Sequence, residues 1–149
     1  MFVLDTNVLS ALMGVIPEPH VTTWLAAQSA KQLFTTAVSQ AEINAGLSIM
    51  PPGRRRRDLE CAAQRMFDQV FDGRVVAFTT EVAPHYGAIF SMRRQAGRPI
   101  STADLMIVAI ARSRGASVVT RDVRGFEGCE VPLINPWDEG EGTAGNKSR

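Results

Sequence analysis

Four acidic residues stand at comparable points of the sequence pattern. Asp5 directly follows an apolar run of the kind typical of a buried strand, and Asp122 follows a second such run. Glu42 and Asp104 lie near the predicted starts of two helices. In an α/β fold, the carboxyl ends of parallel strands and the starts of the following helices face the same edge of the sheet. We therefore expect these four carboxylates to gather there.

Four carboxylates close together form a binding site for a divalent metal ion. They repel one another and raise each other's pKa values, and a hard divalent cation removes that cost. Mg²⁺ takes oxygen ligands and bridges readily to phosphate oxygens, so that it can polarise a phosphodiester and activate a water molecule. The neighbouring polar side chains able to orient carboxylates or water are Thr6, Asn7, Ser101 and Thr120.

Each acid taken alone also has a structural interpretation. The motif Ser39-x-x-Glu42 predicts a capping box at a helix start, and Ser101-x-x-Asp104 is a weaker variant of it. Asp122 fits a turn. Asp5 is harder to explain in this way, because an acid directly after a buried strand is costly without a partner. The set of four is therefore more informative than any member.

The elements that must position these acids alternate between strands and helices. The predicted strands are 2–4, 33–36, 74–79, 116–120 and 131–134. The predicted helices are a short one ending at Gly14, then 21–29, one from Ser39 to Met50, 54–71, 82–95, and an almost wholly apolar one between Ser101 and Gly115. This alternation predicts an α/β fold with a mainly parallel central sheet flanked by helices. We expect one domain over residues 1–138 and a disordered tail over 139–149.

Composition agrees with one globular domain. The chain has 149 residues, 45% of them hydrophobic, and a net charge of +1, so any nucleic-acid binding must come from local patches. Cys61 and Cys129 form neither a disulfide framework nor a zinc-binding spacing. No leader precedes the first strand and no apolar run reaches the length of a membrane span. These features favour a soluble, cytoplasmic protein without membrane contact.

Motif order and spacing resemble the PIN domain. The matching features are Leu4-Asp5-Thr6-Asn7, Glu42 in its Ser-x-x-Ala-Glu setting, Ser101-x-x-Asp104 before an apolar helix, Thr120-Arg121-Asp122 after a late strand, and Asn135-Pro136-Trp137. Within that family the chain is similar to the VapC toxins of bacterial type II toxin–antitoxin pairs, particularly the FitB-like branch. The resemblance covers roughly residues 1–138.

The resemblance implies an endoribonuclease dependent on Mg²⁺ or Mn²⁺. Its acidic quartet matches Asp5, Glu42, Asp104 and Asp122, with Asp5, Asp104 and Asp122 as metal ligands and Glu42 positioning or deprotonating the attacking water. Thr6, Asn7, Ser101 and Thr120 would support them. The resemblance also implies a homodimer and a VapB-type antitoxin that blocks the acidic site. Operator DNA would then be bound only through the antitoxin.

Arginine supplies almost all the positive charge, since only Lys31 and Lys147 of the 16 basic residues are lysines. The run Arg54–Arg57 could bind RNA phosphates or form a solvated face beside neighbouring acids. We expect substrate contacts more readily from Arg93, Arg94 and Arg98, because they flank the loop that bears Ser101. We also expect one from Arg121, which lies beside the fourth acid.

Other functions fit the same residues. A PIN nuclease could process RNA without an antitoxin. The protein could also be an antitoxin-binding module of a DNA-bound regulatory complex with little or no nuclease activity, although a pure binder would not need all four acids. A small phosphatase or phosphotransfer domain would carry an acid after its first strand, but it would usually need a second nearby acid or a lysine. Here Thr6 and Asn7 follow Asp5.

Overall fold

A five-stranded parallel sheet forms the centre of the computed structural model, which describes residues 1–14 and 16–138; the predicted disordered tail lies outside the described residues. The strands are β1 (Phe2–Leu4), β2 (Leu33–Thr36), β3 (Val75–Val76), β4 (Ser117–Val119) and β5 (Leu133–Ile134). Their order across the sheet is β3-β2-β1-β4-β5, and every neighbouring pair is parallel. The predicted α/β fold is confirmed.

Helices cover both faces of the sheet. They are α1 (Thr6–Met13), α2 (Pro19–Ala26), α3 (Ala37–Ser48), α4 (Arg54–Arg65), α5 (Ala83–Gln95), α6 (Thr102–Ser113) and α7 (Val123–Phe126). Because side chains alternate along a strand, Val3 and Val118 enter the core shared with α5 and α6, whereas Leu4 and Val119 enter the core shared with α1, α3 and α4. The sheet is therefore buried on both sides.

Helix α6 is the most deeply buried helix, as its apolar sequence predicted. Leu105 and the whole stretch 107–111 are at most 1% exposed. The helix rests on the central strands and contacts α3, α5 and β4. Its first turn is thereby fixed against the carboxyl edge of the sheet. In the described part of the chain, no helix is both long and apolar enough to cross a membrane.

The start of α3 differs from the prediction. The predicted capping box at Ser39 is wrong, because Thr36, the last residue of β2, caps the helix: its Oγ1 accepts from the Ser39 backbone N at 3.0 Å. The strand thus turns into the helix without a loop, and Ser39 is fully buried in the first turn. Glu42 consequently lies in the second turn, where a capping role is excluded.

The predicted helix over 54–71 changes type along its length, and the predicted strand over 74–79 is shorter than expected. Helix α4 ends at Arg65, and the chain continues directly into a π-helical turn over Met66–Val70. In this turn the Phe71 backbone N donates to the Met66 carbonyl at 3.0 Å. The wider turn brings Phe71 into the core at 1% exposure and leaves Val70 51% exposed. Only Val75–Val76 of the following segment pairs with β2.

Candidate active site

The carboxyl edge between β1 and β4 is the point where the strand order changes direction. From β1 the chain goes to β2 and β3 on one side, and β4 and β5 lie on the other. In open α/β sheets such a crevice is the usual ligand site. Asp5 directly follows β1 and Thr120 directly follows β4, so these two side chains stand at its centre.

Asp5 is the buried centre of the site. It is 5% exposed, and its Oδ1 accepts from the Thr6 backbone N at 2.8 Å while capping α1. Its Oδ2 accepts from the Thr120 hydroxyl at 2.8 Å. Burial raises the pKa of Asp5 from 3.8 to about 6 against the lowering effect of these two hydrogen bonds, with smaller upward contributions from Asp104 and Glu42. The carboxylate is thus held in place but carries an electrostatic cost when ionised.

The hydroxyl of Thr120 connects three parts of the site. Besides donating to Asp5, it accepts from Nδ2 of Asn7 at 3.2 Å and from the backbone N of Asp122 at 3.1 Å. Oδ1 of Asn7 in turn accepts from the Arg121 backbone N at 3.2 Å. Residues 5–7 and the segment after β4 are therefore joined through side chains.

Glu42 and Asp104 approach the same edge from the helices. The Thr6 hydroxyl donates to Oε1 of Glu42 at 2.7 Å. Ser101 caps α6, accepting from the Asp104 backbone N at 3.2 Å, so the predicted cap at this helix start is confirmed. Burial raises the pKa of Asp104. A hydrogen bond from the Ser101 hydroxyl to the carboxyl lowers it, and repulsion from Glu42 and Asp122 raises it further. Electrostatic repulsion therefore connects all four acids.

Asp122 has a structural task as well. Its Oδ1 accepts from the Gly125 backbone N at 3.1 Å, which makes it the N-cap of the one-turn helix α7. A Cβ at Gly125 would collide with this carboxylate, lying only 2.9 Å from its Cγ. The turn interpretation of Asp122 is thus confirmed. The same carboxylate is close enough to Asp104 to raise its pKa by repulsion. A side chain at residue 125 would therefore displace the Asp122 carboxylate from this position.

No three histidine, cysteine, aspartate or glutamate side chains among residues 1–14 and 16–138 are grouped closely enough to hold a metal ion as they stand. The donors nevertheless match a hard divalent cation in kind, because all four are carboxylates. The raised pKa values of Asp5 and Asp104 are the cost that a nearby cation would remove. In donor chemistry, the set fits Mg²⁺ or Mn²⁺.

The arginines predicted to contact substrate have different environments. Arg93 is 6% exposed, and its guanidinium donates to the backbone carbonyls of Gly125, at 3.0 Å, and Glu127. The prediction that Arg93 contacts RNA is wrong, because its charge is committed to the carbonyl end of α7. Arg98 supports the same segment by donating to the Arg124 carbonyl at 3.1 Å. Arg94 is exposed.

Arg121 is exposed at the rim of the site, and its orientation was not foreseen from sequence. Its guanidinium carbon lies 5.1 Å from the centre of the Trp137 ring. Asn135 holds the backbone at this point, since its Oδ1 accepts from the Trp137 backbone N at 3.0 Å. The motif Asn135-Pro136-Trp137 was the only sequence signal for this arrangement.

Comparisons with known proteins agree with the geometry. The family model described as "PIN domain" matches residues 2–128. The chain is 35% identical to VapC ribonuclease Y4jK of Sinorhizobium fredii, covering 93% of this chain and 99% of that protein. It is 30% identical to Toxin FitB of Neisseria gonorrhoeae, covering 93% and 100%. The solved structure of FitAB bound to an IR36 DNA fragment superposes with a TM-score of 0.85 at 31% identity, covering 92% of this chain and 96% of that one.

Proposed function

Because this chain belongs to the PIN-domain family, among the VapC and FitB proteins, we propose that it is the toxin of a type II toxin–antitoxin pair and acts as a metal-dependent endoribonuclease. The observation that supports this most directly is the coupling of four carboxylates at one edge of the sheet, each from a different segment. Chance placement of four acids at the switch point of a sheet that buries both its faces would only be destabilising.

Asp5, Asp104 and Asp122 would hold Mg²⁺ or Mn²⁺. When bound, the ion supplies Lewis-acid polarisation of a phosphodiester and lowers the pKa of a water molecule. Asp5 is the most rigid of the three, since both its oxygens already accept a hydrogen bond. A carboxylate has capacity for further contacts beyond these two.

Glu42 is the residue we assign to the attacking water. The Thr6 hydroxyl occupies Oε1 and thereby fixes the rotation of the carboxylate, leaving Oε2 to accept a proton. Thr120 and Asn7 hold Asp5 and the segment after β4 in register, so that they position the acids rather than contact the substrate. The exposed guanidinium of Arg121 lies at the rim, where it can pair with a phosphate.

The partners follow from the family. We infer a VapB-type antitoxin that covers the acidic site, with a basic side chain of the antitoxin paired to the carboxylates. The protein named FitAB in the similar structure is bound to DNA, and we infer that this chain reaches operator DNA only through its antitoxin. A homodimer and a cytoplasmic location complete the proposal.

A cleavage assay tests the activity. Antitoxin-free protein is incubated with total cellular RNA in Mg²⁺, in Mn²⁺ and in chelator, beside an Asp5→Asn/Asp104→Asn variant. The matched control is Asp72→Asn, which removes an exposed acid. We expect cleavage that requires a metal and both site acids and is unaffected in the control. Equal cleavage by the wild type and the double variant would refute the assignment.

One observation favours a second function. Asp122 is engaged in capping α7, and no three acids of the described residues stand ready around an ion. A chain used only to bind its antitoxin would tolerate this arrangement. In that case the wild type shows no cleavage with either metal, yet it still binds the antitoxin, and Asp5→Asn/Asp104→Asn weakens that binding.

A further inference from the structure

Two adjoining grooves lead away from the acidic edge along α1 and α4. The first has a volume of about 370 Å³ and is lined by Thr6 and Glu42 at one end and by Arg55 at the other. The second, of about 610 Å³, is lined by Arg54, Arg55 and Asp58. Four residues line both grooves, namely Met13, Gly14, Arg55 and Leu59. They therefore form one continuous depression from Glu42 to the start of α4.

The arginines at its far end are not used by the fold. Of the run Arg54–Arg57, only Arg56 has a partner among the described residues: it pairs with Glu60 at 2.7 Å and donates to the Met50 carbonyl at 3.1 Å. Arg54, Arg55 and Arg57 are exposed. Positive charge at a helix start opposes the helix dipole, and the N-cap Gly53 offers no side-chain cap. Helix stability therefore does not explain the run.

We propose that this depression is the RNA track of the enzyme, with Arg54 and Arg55 binding the backbone phosphates of a single strand that leads to the acids. This rests on the proposed nuclease function. Arginine presents a planar fork that matches phosphate oxygens. The apolar side chains of Met13 and Leu59 in the lining suit unpaired bases, which a duplex keeps stacked inside. Arg56 is engaged within the protein by Glu60 and the Met50 carbonyl, whereas Arg54 and Arg55 bind the substrate.

RNA fits this track better than an acidic peptide. The depression opens at Glu42, so an acidic peptide long enough to reach from Arg54 to that end would meet a carboxylate there. A phosphodiester has to approach those carboxylates in any case for the proposed reaction. Arg54 and Arg55 therefore attract the strand that is to be cleaved, and a divalent ion held by the site acids would offset the repulsion between its phosphates and Glu42.

The test measures binding in chelator, where the RNA stays intact. A fluorescein-labelled single-stranded RNA and its duplex are titrated by anisotropy with wild type, Arg54→Gln/Arg55→Gln, and the control Arg57→Gln/Arg114→Gln. The control removes the same charge from exposed arginines that do not line the track. We expect the track variant to bind the single strand about tenfold more weakly and to lower the salt slope by about 1.4, since each lost phosphate contact contributes about 0.7 for a single strand. The control should stay within about twofold.

Two results would overturn the track. In one, both variants weaken binding equally, which indicates non-specific attraction. In the other, the track variant binds RNA normally but loses affinity for a glutamate-rich peptide. Metal-dependent cleavage measured in parallel separates the two proposals. If the wild type cleaves RNA and the track variant binds RNA normally, only the track proposal is refuted. If the wild type does not cleave RNA but the track variant alone loses RNA binding, only the nuclease proposal is refuted. Thermal melting of each variant verifies its folding.

Discussion

Replacing Asp5 by asparagine should change how the stability of the metal-free protein depends on pH. The wild-type carboxyl is buried and its pKa is raised to about 6, whereas in the unfolded chain it returns to about 3.8. Asparagine keeps the size of the side chain and an oxygen able to accept from the Thr6 backbone N, but it does not titrate. The difference between the two proteins therefore isolates the ionisation of Asp5.

The sign and magnitude follow from linkage. Between the two pKa values the folded protein holds a proton that the unfolded chain has released, so the free energy of unfolding falls as pH rises. The contribution of Asp5 is fully present below the unfolded pKa of 3.8 and is lost as pH rises through about 6, an amount of about 3 kcal/mol. Above that pH both states are ionised and the loss is complete.

Urea unfolding in chelator, followed at several pH values from about 4 to 7, measures this difference. The free energy of unfolding of the wild type should fall by about 3 kcal/mol relative to Asp5→Asn over that range. The exposed control Asp72→Asn should keep the wild-type slope. Parallel curves for the wild type and Asp5→Asn would show that burial does not raise this pKa in the folded protein, and the electrostatic argument for a cation would then fail.

Substitutions at three further residues test the supporting contacts. Thr120→Val keeps the shape of the side chain but leaves an oxygen of Asp5 without its donor, so we expect a loss of about 1–3 kcal/mol in urea unfolding and a higher pKa for Asp5 in its pH profile. Gly125→Ala should displace the Asp122 carboxylate, weakening Mn²⁺ binding in calorimetry, while unchanged affinity would exclude Asp122 as a ligand. Arg93→Ala should lower the free energy of unfolding by about 2 kcal/mol or more, and Arg93→Lys should recover only part of it, because lysine lacks the fork that reaches two carbonyls. Equal stability of the two Arg93 variants would contradict that account.

The central strands and their acids could be predicted because local pattern and burial agree there. The apolar run before Asp5 and the one before Thr120 have no alternative place but the middle of a sheet covered on both sides. Helix α6 was predictable for the same reason, and its cap Ser101 stands in an unambiguous sequence position. The convergence of these elements then follows from parallel topology.

The errors arose where two local signals competed or where contacts are distant in sequence. Two possible caps lie three residues apart at α3, and Thr36 prevails because the strand enters the helix directly. A π-helical turn is invisible to a count of period 3.6, although it decides whether Val70 or Phe71 is buried. Burial of Arg93 depends on carbonyls more than thirty residues away, which no local pattern encodes.

The hydrogen bond between Thr120 and Asp5 joins residues 115 positions apart, and β1 pairs with β4 across the same separation. During synthesis the first strand leaves the ribosome long before the segment that completes its surroundings. A chain that ends before β4 has neither the central strand pair nor the hydroxyl that holds Asp5. The acidic site therefore cannot be assembled until about four fifths of the 149 residues have been translated, so the order of the strands along the chain delays the site until late in synthesis.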